Sequence, residues 1–167
     1  VEVVSGKTLA QFFEERILRP LKLADTGFHV PKDKQGRLAE PLAADPDTGR
    51  PIKLLDVTAP PKFEAGGQGG VATAADYARF TQMLLNGGAL DSVRLLSRTT
   101  VELMTADHLG AIPVGCCFSN GAGYGFGLGF AVRRERGVSF APGSVGDYNW
   151  AGLGGTYFWV DPKEQLI

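Results

Sequence analysis

The sequence is poor in the residues that build metal sites and disulfide frameworks. Its 167 residues include two histidines, His29 and His108, and two adjacent cysteines, Cys116 and Cys117. Neither histidine has a ligand-spaced Cys, Asp or Glu beside it, which argues against a metal site. Adjacent cysteines cannot link distant segments, and a disulfide between them would be strained. We therefore expect free thiols, no metal and no other cofactor. This cysteine usage favours the cytoplasm over the periplasm.

Long apolar runs and an excess of one charge are missing as well. No apolar stretch approaches the roughly 20 residues that a membrane helix needs. The formal net charge is -1, and Lys and Arg are scattered along the chain. The sequence therefore has no electrostatic footprint for nucleic acid. Because 44% of the residues are hydrophobic and 21% are charged, the composition is that of a globular protein. We expect neither nucleic acid nor a membrane as a partner.

The first half of the sequence predicts helices joined by long loops. Thr8 is followed three residues later by Gln11, the pattern of a capping box, and Pro20 is expected to end that helix. Residues 23–53 carry Gly, Pro and Asp at turn positions and predict a long irregular segment. A helix is then expected from a Thr73 N-cap to a left-handed Gly87. Its predicted buried stripe comprises Tyr77, Phe80 and Leu84, and a further helix is expected to start at Ser97.

A glycine cluster, residues 66–70 with the sequence GGQGG, precedes the Thr73 helix. Glycines allow a ligand to approach the backbone closely, which makes Gln68 and Gly69 candidates for substrate binding. The alternative is a turn that simply requires positive φ angles. The cluster by itself leaves both interpretations open.

The second half of the sequence predicts antiparallel strands. Residues 121–132 alternate between glycine and larger, mostly aromatic side chains, which predicts one strand with an open glycine face. This pattern is not a dinucleotide fingerprint, because it continues as a strand instead of opening a helix. Residues 145–161 supply the next element of a meander. We expect an α+β fold, an antiparallel β-sheet flanked by helices, with helices and long loops over 1–110 and strands over 111–167 of a single domain.

Three stretches resemble serine β-lactamase-related proteins, and they occur in the order of that family. They are residues 4–28, residues 66–88 and residues 149–162, so the resemblance covers nearly the whole chain. The pattern is most similar to class C β-lactamases and family VIII carboxylesterases. It implies a β-lactamase/transpeptidase-like fold that is present here as a partial segment.

The third stretch resembles the active-site motif on the strand that flanks the nucleophile. Trp150, Ala151 and Gly152 stand where penicillin-binding proteins and class C β-lactamases carry Lys-Thr-Gly. A side chain at Gly152 would push substrate off the strand edge. The resemblance also implies that the backbone N–H of Leu153 is one of the two oxyanion-hole donors.

Trp150 is the informative departure from the family motif. An indole offers an apolar face and one N–H donor but no positive charge for a substrate carboxylate. This favours an uncharged ester, with Tyr148 as a further lining residue. The alternative is that Trp150 is a core aromatic, like the nearby Phe158 and Trp159.

The resemblance implies a serine hydrolase that works through an acyl-enzyme, most consistently a carboxylesterase for short acyl esters. A β-lactamase, a D-aminopeptidase-type peptidase or an acyltransferase would share the fold, and so would a non-catalytic binding protein. The chain has no Ser-x-x-Lys pattern. The nucleophile, its Lys partner and the Tyr base are therefore expected before Val1. The expected partners are a small ester or amide substrate and the remainder of the polypeptide or a complementary chain.

Overall fold

The computed structural model describes residues 1–112, 121–139, 141–152 and 154–167. The chain divides into two compact units, Val1–Tyr77 and Ala78–Ile167. None of the helices in the described ranges has the length and apolar character that crossing a bilayer requires.

The first unit is built from short helical segments and irregular chain. Its elements are α1 (Glu2–Ser5), α2 (Leu9–Phe13), a π-helical turn (Glu14–Leu18), α3 (Arg19–Leu21) and a 3-10 helix (Lys32–Arg37). Helix α4 (Ala74–Leu85) begins in this unit and continues into the second. The long irregular segment expected over 23–53 is confirmed, and the 3-10 helix is the one helix or strand in this range, all of which the structure describes.

The helical stretch from α2 to α3 starts where expected and ends later than expected. The Thr8 side chain accepts a hydrogen bond from the Gln11 N–H at 3.2 Å, and the Gln11 side chain accepts one from the Thr8 N–H at 3.1 Å. Pro20 does not end the helix, which continues to Leu21 before Lys22 adopts φ 58°. Proline donates no N–H, and its ring crowds the carbonyl four residues earlier. The widened π-helical turn just before it accommodates this disruption.

The predicted ends of the next two helices are confirmed. The Asp76 N–H donates to the Thr73 hydroxyl at 3.2 Å at the start of α4, and Gly87 follows its end with φ 66°. In the second unit, the Ser97 hydroxyl accepts from the Thr100 N–H at 3.0 Å at the start of α5 (Arg98–Met104). Each of these helix starts depends on a hydrogen bond between a side chain and a backbone N–H three residues later. A short sequence pattern can therefore predict it.

The buried stripe of α4 agrees only in part with the prediction. Leu84 is buried as expected, but Tyr77 is 38% exposed and Phe80 is half-buried. Thr81 and Met83 are buried instead. The buried face of α4 is therefore rotated relative to the face that the aromatic spacing predicted. The buried Thr81 hydroxyl donates a hydrogen bond to the Ala78 carbonyl at 3.1 Å.

The second unit contains a small hairpin and a four-stranded antiparallel meander. The hairpin joins β1 (Ala89–Leu90) to β2 (Val93–Arg94). The meander contains β3 (Tyr124–Phe126), β4 (Ala131–Arg133), β5 (Tyr148–Ala151) and β6 (Tyr157–Val160), in that order across the sheet. The expected fold, an antiparallel sheet with helices, is confirmed.

The prediction of one strand over 121–132 is wrong. β3 ends at Phe126 and β4 begins at Ala131, and the two strands pair with each other. A tight turn joins them, in which the Gly127 N–H donates to the Phe130 carbonyl at 2.8 Å and Gly129 adopts φ 97°. The positive φ at Gly129 allows the chain to reverse where a side chain would be strained.

The glycines in β3 and directly after it leave room for a neighbouring segment of the chain. A Cβ at Gly125 would collide with the Asp107 carboxylate, and a Cβ at Gly127 would collide with the Met104 carbonyl. The segment after α5 runs along the outer edge of β3, where the His108 N–H donates to the Phe126 carbonyl at 2.9 Å. This part of the glycine face is therefore covered by protein.

Candidate functional site

The candidate site is the edge of β5 beside Trp150. β5 pairs with β6 along all four residues, and the Gly152 N–H extends this ladder by donating to the Thr156 carbonyl at 2.8 Å. The pairing with β4 covers Tyr148 and Asn149 and does not extend to Ala151. Hydrogen-bonding groups of an antiparallel strand alternate between its two sides. The Ala151 N–H and carbonyl therefore point away from β6, along a part of the edge that β4 leaves unpaired.

Trp150 lies beside this edge and is half-buried. Its ring makes a T-shaped contact with Phe126, with 5.1 Å between centroids and an interplanar angle of 76°. Trp159, expected to be a core aromatic, is 45% exposed and stacks on Tyr157 at 6.4 Å. That expectation is wrong for Trp159, because nearly half of its surface is exposed.

The other predicted residues of β5 differ in their surroundings. Tyr148 is 1% exposed and packs on Phe130 at 5.2 Å, and burial raises the pKa of its hydroxyl. Its role as a lining residue stays a prediction that this burial does not favour. A Cβ at Gly152 would collide with the Thr156 hydroxyl, so this side chain would have to move to admit one. Leu153, the predicted oxyanion donor, lies outside the described residues.

In the first unit, Gln68 and Gly69 line a cavity of about 230 Å³. Most of its other lining side chains are apolar, among them Phe28, Leu55 and Phe63. Gly69 adopts φ 79°, so the turn interpretation accounts for this glycine, while Gly66, Gly67 and Gly70 have no such requirement. The structure thus brings Gln68 and Gly69 together at one cavity of this unit. It places Tyr148, Trp150 and Ala151 on β5 of the second unit, with Gly152 directly after that strand.

A buried ion pair next to β5 escaped the sequence analysis. The Arg133 Nε donates to the Asp147 Oδ2 at 2.7 Å, and both side chains are 3% exposed. The Arg133 guanidinium also lies 4.9 Å from the centre of the Tyr124 ring. Burial raises the pKa of the Asp147 carboxyl, and the Arg133 hydrogen bond opposes this. The residues are 14 apart in the sequence, and only the β4–β5 register brings them together.

A comparison with protein families matches the model described as Beta-lactamase to residues 1–167. The chain belongs to the Beta-lactamase family. Protein Rv1367c of Mycobacterium tuberculosis is 35% identical over 175 residues, a match that covers the whole chain and 44% of that protein.

Solved structures of this family match the fold. The hydrolase EstCE1, described as having promiscuous acyltransferase activity, is 26% identical with a TM-score of 0.75, and the match covers 97% of this chain and 45% of that one. Simvastatin synthase (LovD) from Aspergillus terreus is 25% identical with a TM-score of 0.70, covering 98% of this chain and 44% of that one. The chain spans less than half the length of these relatives. The resemblance to β-lactamase-related proteins is confirmed, as is the partial β-lactamase/transpeptidase-like fold.

Proposed function

We propose that this chain is part of a serine hydrolase that cleaves uncharged carboxylic esters with short acyl groups through an acyl-enzyme. The observation that carries the proposal is the part of the β5 edge at Ala151 that β4 does not pair, with the indole of Trp150 beside it where the family motif has a cation. EstCE1, a hydrolase with promiscuous acyltransferase activity, supports ester chemistry on this fold.

The edge suits the stabilisation of a developing oxyanion. A serine outside this chain would attack the ester carbonyl while a Lys/Tyr pair takes its proton, forming a tetrahedral intermediate. Collapse of this intermediate would expel the alcohol with a proton, and water would then hydrolyse the acyl-enzyme. By its place in the family motif, the Leu153 N–H would be one donor to this oxyanion. One such donor contributes about 3 kcal/mol or more to acyl transfer.

The surroundings of Trp150 favour a neutral substrate. An indole has no charge to compensate the desolvation of a carboxylate, and burying an unpaired carboxylate is costly. Trp150 is half-buried against Phe126, which leaves part of its apolar surface available to an acyl chain.

We propose that Gln68 and Gly69 contribute to acyl binding. The cavity that they line, about 230 Å³, has mostly apolar walls. Pockets for drug-sized ligands measure roughly 300–1,000 Å³, so this cavity favours a small group. The amide of Gln68 supplies both donors and an acceptor at the cavity.

The test compares hydrolysis of p-nitrophenyl acetate and butyrate with hydrolysis of nitrocefin by the complete protein. We expect ester hydrolysis that a serine-directed fluorophosphonate blocks, and no activity from residues 1–167 alone. Trp150→Lys should lower kcat/KM for the esters and raise it for nitrocefin. Trp159→Lys, which changes the exposed tryptophan, is the matched control and should do neither. Faster hydrolysis of nitrocefin than of the esters by the wild type would rule out the ester assignment.

Acyl transfer to an alcohol is the second candidate, and the promiscuous acyltransferase activity described for EstCE1 favours it. The acyl-enzyme would be the same, with an alcohol in place of water as the second acceptor. Formation of a new ester when a short alcohol is added during p-nitrophenyl butyrate turnover would support this function. Release of free acid alone would exclude it for that acceptor.

A further inference from the structure

We infer that Phe126 is a positioning residue that sets the orientation of the Trp150 indole and thereby the binding of the acyl group. This inference rests on the proposed function. The two rings meet in a T-shaped contact, 5.1 Å between centroids and 76° between planes. Edge-to-face contacts of this kind are directional, so one ring constrains the other.

The backbone N–H and the backbone carbonyl of Phe126 are both hydrogen-bonded. Its N–H donates to the Asp107 Oδ1 at 3.1 Å, and its carbonyl accepts from the His108 N–H at 2.9 Å. The Asp107 Oδ2 accepts in turn from the Arg134 Nη1 at 3.2 Å. The absence of side chains at Gly125 and Gly127 lets this segment approach β3. The backbone that carries the Phe126 ring is therefore held in place.

On β5, Trp150 is paired with Phe158 of β6, and the Phe126 ring adds a contact from a different strand. The pairing with β4 ends at Asn149, so β4 supplies no cross-strand neighbour for Trp150. The ring is half-buried, and the contact with Phe126 reaches it from the end of β3. A tilted indole would present a different apolar surface to the acyl chain. The enzyme would then bind the substrate and the transition state less tightly by the same amount, so KM would rise while kcat stays constant.

The experiment measures kcat and KM of the complete protein for p-nitrophenyl butyrate, with active sites counted by fluorophosphonate titration. Phe126→Leu removes the ring and should raise KM about 3- to 10-fold, the size expected of an aromatic pair, with kcat per titrated site within about twofold. Phe126→Tyr keeps the ring and should restore the wild-type KM. Leu128→Ala changes the exposed neighbouring side chain in the turn and should leave both constants unchanged.

The outcomes separate this inference from the proposed function. A wild-type KM in Phe126→Leu, or equal changes in Phe126→Leu and Phe126→Tyr, would overturn the positioning role and leave the esterase assignment intact. If Phe126→Leu yields no titratable sites, Phe126→Met removes the ring with a more adaptable side chain and is judged by the same KM criterion. A wild type that neither hydrolyses the ester nor reacts with the phosphonate would refute the proposed function and this inference together.

Discussion

The buried ion pair between Arg133 and Asp147 should be essential for the stability of the meander. Arg133→Met retains much of the side-chain volume but removes the Nε donor 2.7 Å from the Asp147 Oδ2. It also removes the hydrogen bond from Nη2 to the Pro142 carbonyl at 3.3 Å and the cation over the Tyr124 ring. Asp147, whose Oδ1 meets no hydrogen-bond partner among the described residues, would then be buried without its ion-pair partner.

The expected magnitude follows from the burial of the pair. Removing one partner of a buried ion pair costs about 3–5 kcal/mol, whereas exposed pairs contribute about 0–1 kcal/mol. Since both side chains are 3% exposed, the higher range applies. Replacing both partners with apolar residues is often close to neutral. The double variant Arg133→Met/Asp147→Leu should therefore recover much of the lost free energy.

The assay is urea unfolding of the complete protein followed by near-ultraviolet circular dichroism. Arg136→Met is the matched control, because Arg136 is exposed, and its free energy of unfolding should stay within about 0.5 kcal/mol of the wild type. A loss below about 1 kcal/mol in Arg133→Met would refute the assignment of the pair to the buried class.

Two further predictions concern the turns on either side of β6. Gly152→Ala should lower the midpoint of urea unfolding, because its Cβ would collide with the Thr156 hydroxyl. Adding Thr156→Ala removes that hydroxyl and should restore the midpoint, while ester hydrolysis stays impaired. Recovery of both the midpoint and the hydrolysis would show that Gly152 serves the hairpin alone. Burial would raise the pKa of Asp161, but N–H donors from Glu164, Ser144 and Lys163 outweigh it and lower the pKa. The stabilisation is therefore present above the unfolded pKa, about 4, and is lost as pH falls through the folded pKa. Between pH 5 and pH 3 the wild type should lose more stability to urea than Asp161→Asn, and parallel losses would contradict this.

Local contacts explain which parts of the fold were predictable. The capping box at Thr8 and Gln11, the Thr73 and Ser97 caps and the left-handed Gly87 each involve groups a few residues apart. The family motifs are local too, which is why the fold class followed from them. The sequence also located Trp150 on a strand of the meander, and the structure agrees.

Tertiary structure decided what the alternating pattern could not. A period of two indicates which face each residue occupies, but it does not indicate whether the chain reverses, so residues 121–132 form a hairpin and not one strand. The coverage of the glycine face by Asp107 depends on packing of a segment outside that pattern.

The candidate site likewise combines features set by the local sequence with features set by contacts between segments. The sequence by itself determined which residues stand at the motif, and the length of β4 decided that β4 does not pair with β5 at Ala151. Likewise, the sheet register joined Arg133 to Asp147, and side-chain packing placed Phe126 against Trp150. The physical reason is that strand pairing and ring contacts are interactions between segments. Their energies depend on distances in space that no single segment of the sequence specifies.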